Sequence, residues 1–298
     1  MQLSLSSHLL VYGLCAPEEL AAAQAAGVEQ VELWLAEPHL PWRKPAACEA
    51  LRTRLSEIGL RAGSVHLPFY PSVPALLEQG EKWSLIDPDP ARRAVALAGT
   101  REGMIAAAAL GADHAVLHLG WQRDAWGEQE HAWAREAVHN LLSEPPAAGV
   151  CLCLENIISS GTRVTALLEL LDEVDPDGQA GICLDLGHAH VDGGVLAELE
   201  AAAPRLRHLH LHDNDGKNDA HLAPGLGSIP WQEVLARLAA CGFDGAGALE
   251  VRDTSKGARP AAEVLAETLA ASAAIFPQIK LPESAETRQA HSSTPPCK

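Results

Sequence analysis

The strongest constraint on this chain is an alternation of two periods repeated eight times. Short runs with β-type alternation occur at "MQLSLSS" (1–7), "VEQVELWL" (28–35), "LRAGSVHL" (60–67), "DHAVLHLG" (113–120), "VCLCLEN" (150–156), "AGICLDLG" (180–187), "LRHLHLHD" (206–213) and "AGALEVRD" (246–253). Between and after them lie alanine- and leucine-rich stretches with helical spacing, at 17–26, 45–58, 90–110, 128–143, 164–173, 193–202, 230–241 and 260–275. Pro17 opens the first and Gly27 closes it, as helix-start and helix-stop preferences require. Eight strand–helix units predict an α/β protein of the closed (β/α)8, or TIM barrel, class. The rival is an open doubly wound sheet. It usually carries a glycine-rich phosphate loop after its first strand, and "VYGLCAPEE" is not one. The barrel domain is expected over residues 1–276. The segment 277–298, "PQIKLPESAETRQAHSSTPPCK", has no periodicity and reads as a disordered tail.

Charge and cysteine content narrow the function. Lys and Arg number 22 against 39 Asp and Glu, a net charge of −17. Such a surface repels DNA unless a local basic patch or bound cations override it. The seven cysteines form no CxxC pair, and thiols in a long chain of this type are expected to stay reduced. No window is apolar enough to span a membrane, and the N-terminus lacks the pattern of a signal peptide. The expected location is the cytoplasm.

The polar residues of the strands gather at one end. His66, His118, Glu155, Asp185, His210 and Glu250 sit at or near the C-terminal ends of strands 3 to 8. In a (β/α)8 barrel that end carries the active site. One histidine at a strand end is ordinarily a hydrogen-bonded structural residue, and His8, His39 and His131 are given that reading. Six acidic or imidazole residues at successive strand ends call for another cause. Imidazoles and carboxylates together suit Zn²⁺, Mn²⁺, Fe²⁺ or Co²⁺. Without cations, Glu155, Asp185, Asp219 and Glu250 would repel one another in a confined space. Cys151, Cys153 and Cys183 share lumenal faces with Glu155 and Asp185 and are expected to pack beneath them.

The ordered set "SVHLPF", "VLHLG", "CLENI", "GICLDLGHAH", "HLHDND", "DAHLAPGLGSIPW" and "LEV" resembles the superfamily of xylose-isomerase-like barrels. That superfamily contains sugar phosphate isomerases and epimerases together with endonuclease IV. The resemblance covers about residues 1–276. In its ketose epimerase branch it implies one metal on Glu155, Asp185, His210 and Glu250. There the two glutamates are the acid–base pair and His188 contacts substrate. In its endonuclease IV branch it implies three zinc ions on His66, His118, Glu155, Asp185, His188, His210, Asp219, His221 and Glu250. Both imply divalent metal (Zn, Mn, Co or Mg), one to three ions.

The expected partner is a small-molecule sugar, with Trp121, Lys217 and Arg252 among its contacts. Trp126, Phe69 and Tyr70 are further candidates for the pocket wall. Only Lys217, Arg163, Arg252 and Arg123 are expected as cations near the mouth, too few for a DNA-binding face. The expectation is therefore a metal-dependent sugar or sugar-phosphate isomerase or epimerase, with phosphodiester hydrolysis as the alternative. Neither nucleic acid nor membrane is an expected partner, and nothing in the sequence speaks against a homo-oligomer.

Overall fold

A computed structural model describes residues 1–281. Eight parallel strands close into one barrel in sequence order. They are β1 (Gln2–Ser6), β2 (Gln30–Trp34), β3 (Arg61–His66), β4 (His114–Leu117), β5 (Cys151–Glu155), β6 (Gly181–Asp185), β7 (Leu206–Leu211) and β8 (Ala246–Leu249). Around them lie α1 (Pro17–Ala25), α2 (Pro45–Glu57), α3 (Pro90–Leu110), α4 (Glu128–Ser143), α5 (Val164–Val174), α6 (Leu186–Val191), α7 (Val195–Ala202), α8 (Trp231–Ala240) and α9 (Ala261–Ser272). The eight expected strands and eight expected helices are all present. The addition is α6, a short helix directly after β6.

The local chemistry explains the boundaries. Pro17, Pro45 and Pro90 each open a helix at a position that needs no N–H. Asp89 caps α3 by accepting from the Ala91 N–H at 2.8 Å, and Gly111 ends it in the left-handed region at φ 75°.

Alternation along each strand sorts the two sides of the barrel wall. Leu152, Leu154, Ile182, Leu184, Leu209 and Leu211 belong to the main apolar core. Each fully buried aliphatic side chain there is worth about 1.5–3 kcal/mol relative to exposure. Val116, Cys153 and Cys183, joined by Cys151, form a separate cluster in the lumen. The thiols thus lie in the wall below the polar end, as their spacing predicts.

Of the tail expected from residue 277, the first part belongs to the body. Ile279 is buried, and the Lys280 N–H donates to Ala26 O at 2.8 Å. The apolar surface of Ile279 is the physical reason, since it packs with the main core. Residues 282–298 lie outside the described residues. Among the described residues, no helix is long and apolar enough to cross a membrane.

Candidate active site

The strand ends deliver their side chains to one cavity. His66, Glu155 and Asp185 are the last residues of β3, β5 and β6, and His210 is the penultimate residue of β7. His118 and Glu250 follow β4 and β8 by one residue, where the backbone leaves the wall. α6 carries His188 three residues beyond Asp185, whose carboxylate caps that helix by accepting from the His188 N–H at 2.7 Å.

Three overlapping groups result. His118 Nε2 and His66 Nε2 lie 2.9 and 3.3 Å from Glu155 Oε2. Around His210 Nδ1 stand Glu250 Oε2 at 3.2 Å, Glu155 Oε1 at 3.3 Å and Asp185 Oδ2 at 3.7 Å. Around Asp219 Oδ1 stand His221 Nε2 at 3.2 Å, His188 Nε2 at 3.6 Å and His212 Nε2 at 3.9 Å. Glu155 offers one oxygen to the first group and one to the second. All nine residues expected at the site converge.

The far ring nitrogens are tied down in a consistent way. His66 Nδ1 pairs with Leu67 O at 3.0 Å, His188 Nδ1 with Asn156 O at 2.9 Å and His221 Nδ1 with Glu250 O at 2.9 Å. A carbonyl accepts only, so each of these nitrogens carries its proton. Nε2 is then free to face the cavity. His210 is reversed: its Nε2 meets Glu32 Oε2 at 3.2 Å, leaving Nδ1 for the site. This is the pattern by which outer partners orient metal-ligating imidazoles.

The donor set passes a test of fit to a metal. His66 Nε2, His210 Nδ1, Asp219 Oδ1 and Glu250 Oε2 are buried and have no hydrogen-bond partner, although other polar atoms stand close by. An unsatisfied buried polar atom costs about 1–3 kcal/mol. Several facing one another in a ring of donors are explained by a cation between them.

The electrostatics agree. Burial alone would raise the Glu155 carboxyl, but the His118 and His210 imidazoles override it and hold it well below the usual carboxylate range. Against the same burial, His188 and His212 hold Asp185 at about 2. Burial would lower His188 and His210, yet their acidic neighbours drive both well above the ordinary histidine value. Foremost among these neighbours are Asp185 for His188, and Cys183 followed by Glu250 for His210. The site therefore gathers anionic carboxylates that demand positive charge, whether from protons or from metal.

The cavity measures about 590 Å³, ordinary for a small-molecule site. Its wall includes Trp121, Lys217, Arg252, His188, Phe69 and Arg123, all named from the sequence as candidates for this region. Two aromatic expectations are corrected. Tyr70 is buried behind the wall, where its hydroxyl accepts from Trp34 Nε1 at 2.7 Å. Trp126 packs at 5.0 Å on the His131 ring. Arg163 turns instead to Asp192, at 3.9 Å.

Sequence reasoning missed four residues here. His8 received a structural reading, yet it lines the cavity, its ring stacked at 4.4 Å on Trp34. Lys82 also reaches the wall, 4.2 Å above the Trp121 ring. His212 joins the Asp219 group, stacked at 3.9 Å on His221. It fits only because residue 187 is glycine, since any Cβ there would overlap the His212 ring. Glu32 lies beneath the site, fully buried, bonded to Ser6, Ser64, His208 and His210. A glutamate among the apolar residues of a central strand was the available signal for it.

The comparisons place this geometry. The profile of the xylose isomerase-like TIM barrel family matches residues 20–271. The chain belongs to that family. A Streptomyces coelicolor protein named "Putative hydroxypyruvate isomerase" is 28% identical over 255 residues, 79% of this chain and 85% of that protein. The "Probable endonuclease 4" of Methanoculleus marisnigri is 29% identical over 205 residues, 62% of this chain and 68% of that protein. An uncharacterized Methanocaldococcus jannaschii protein is 30% identical over 173 residues, 52% of this chain, and the match spans 57% of that protein's length. Among solved structures, a Thermus thermophilus protein soaked with ZnCl2 superposes with a TM-score of 0.65 at 29% identity. That match covers 94% of this chain and 100% of the other.

Proposed function

We propose that this family member is a divalent-metal-dependent isomerase or epimerase of sugars or sugar phosphates. It would move a proton at a substrate carbon through an enediolate. The observation that carries this reading is the convergence of Glu155, Asp185 and Glu250 on His210 Nδ1 at the wall of a small-molecule cavity. Glu155, Asp185, His210 and Glu250 would hold one ion, and His66 and His118 would add a neighbouring site through Glu155. His188, Asp219 and His221, with His212, would form a third. When bound, the metal polarises the substrate's carbonyl and hydroxyl oxygens and stabilises negative charge developing there.

The chain's own residues supply the rest. Glu250 carries a buried carboxylate oxygen without a hydrogen-bond partner. It takes the proton from the carbon beside the carbonyl. Glu155, across the same group, returns one. General acid–base transfer of this kind is worth about 10²–10⁴-fold in rate. His188, Trp121 and Phe69 shape the pocket around the sugar. Lys82, Arg123, Lys217 and Arg252 line the same cavity in a chain of net charge −17. Four cations there suit a substrate with an anionic group such as phosphate.

A second reading, metal-assisted phosphodiester hydrolysis, is favoured by one observation. The His188, His212, Asp219 and His221 donor atoms lie within 4.8 Å of one another, so the site is not limited to a single ion. Net charge and the small cavity favour the first reading.

The test is metal analysis of protein purified without chelator, with parallel assays on a panel of ketoses, ketose phosphates and an abasic-site duplex. Bound divalent metal and ketose conversion are expected. Protein without metal that gains none from Zn²⁺, Mn²⁺ or Co²⁺ overturns the proposal. Tight, salt-insensitive duplex binding with strand cleavage moves the assignment to the second reading.

A further inference from the structure

The barrel's other end carries a cluster that the catalytic face does not use. His114 and Cys151 are the first residues of β4 and β5, and they pair in register. Alternation brings Cys153 to the same lumenal face as Cys151. One imidazole nitrogen and the two sulfurs lie within 4.8 Å of one another. Lumenal layers of such barrels are ordinarily filled by Val, Ile and Leu. Two thiols and a ring in one layer are an unusual filling. His114 and Cys151 are half-buried and Cys153 is buried, so the cluster is reached from the N-terminal mouth.

Two of the three groups are inclined toward the ligating form, while its hydrogen bond to Cys151 and burial hold the Cys153 thiol well above its ordinary value. Burial, reinforced by His208, holds His114 at about 4, so its ring is neutral near pH 7. The hydrogen bond from Cys153 lowers the Cys151 thiol, with Arg207 adding to it against the opposing effect of burial.

We propose that His114, Cys151 and Cys153 form a separate metal site that takes a thiophilic ion of the zinc class through two sulfurs and one nitrogen. Thiolate and imidazole donors select such ions over Mg²⁺ and Ca²⁺, which require oxygen. Three protein donors leave one tetrahedral position for water. Binding releases the proton of each thiol to solvent, with no change of oxidation state. The ion ties β4 to β5 at the end of the barrel devoted to stability.

The experiment titrates full-length, metal-depleted protein with Co²⁺. The donors assigned to the catalytic face are nitrogen and oxygen, so a sulfur-to-cobalt charge-transfer band in the near ultraviolet reports thiol ligation, and its loss in Cys151→Ser separates this site from Cys183 beside His210. The band is expected in the wild type, displaced by Zn²⁺ and absent from Cys151→Ser. In His114→Gln, affinity should fall by more than the roughly tenfold that loss of a supporting partner costs. A wild type with no band, or a band that persists in Cys151→Ser, overturns the proposal. Should Cys151→Ser fail to fold, alkylation of Cys151 in the wild type decides. Slowing by Zn²⁺ supports the site, and an unchanged rate overturns it.

Discussion

At the scale of single residues, the site is organised by what stands behind each ligand. Backbone carbonyls hold the far nitrogens of His66, His188 and His221, while Glu32 holds that of His210. This separates a residue's role as donor from its role in catalysis. Glu250→Gln keeps the side chain's size and one oxygen donor but removes the base. Turnover should fall about 10²–10⁴-fold, with much smaller loss of metal by elemental analysis. Equal loss of both would make Glu250 a ligand only. His39, outside the site, gives a pH prediction. Its Nδ1 lies 2.8 Å from Gly13 O and its Nε2 3.0 Å from Ser7 Oγ. Burial depresses it from 6.5 to about 4. A depressed histidine contributes stability that is full above 6.5 and lost as pH falls toward 4. The stability gap between wild type and His39→Gln should therefore narrow by roughly 3 kcal/mol from pH 7 to pH 4. Denaturant titration at the two pH values checks this, and a constant gap contradicts it. His66, His118, Glu155, Asp185, His210 and Glu250 were legible in sequence because each is polar at or near the end of an apolar run, whereas His188, Asp219 and His221 entered the ligand set through the family resemblance. His212 and Glu32 were not assigned. Nothing in "HLHLHD" tells which of three lumenal imidazoles stands at what depth, and Glu32 lies mid-strand.

At the scale of elements, the segment after β7 does the most positioning. Asp213, fully buried, accepts from Gly225 N–H at 2.9 Å, Ile229 N–H at 3.1 Å and Trp231 Nε1 at 2.8 Å. One carboxylate thus gathers the loop that presents Asp219 and His221. His221 itself is held at φ 46°, a conformation non-glycine residues rarely adopt. Asp213→Ala strands three donors, two of them buried, and should destabilise the fold by about 3 kcal/mol or more. Thermal melting should show this, together with loss of metal from the Asp219 group. Unchanged melting would deny Asp213 its part. Element identity was readable because the 2.0 and 3.6 periods alternate cleanly, and α3 has the boundaries its pattern predicts. α6 was not readable, since six residues are too few to display a helical period. The course of the loops was hidden for the same reason, which is why Lys82 went unassigned.

At the scale of the whole molecule, the fold was legible from repetition, whereas the cavity's character depends on loops that meet only in three dimensions. Gln122 shows this, since its Nε2 donates to Asp219 Oδ2 at 2.6 Å across 97 residues of chain. Bound metal should also be visible globally. An ion that binds only the folded state stabilises it by mass action, about 2.7 kcal/mol at a hundredfold excess over Kd. Chelation should lower the melting temperature on the order of 5–10 °C, reversed by restoring the ion. A melting curve indifferent to chelator and metal would contradict this. The central claim is that Glu155 and Glu250 move a proton at a substrate carbon, and solvent exchange tests it most directly. The metal-loaded protein is incubated in heavy water with each ketose or ketose phosphate it converts, and the carbons are examined by NMR. The account predicts deuterium at the carbon beside the carbonyl, lost in Glu250→Gln. Conversion of substrates with no exchange at any carbon, accompanied by release of a phosphoester, would contradict it.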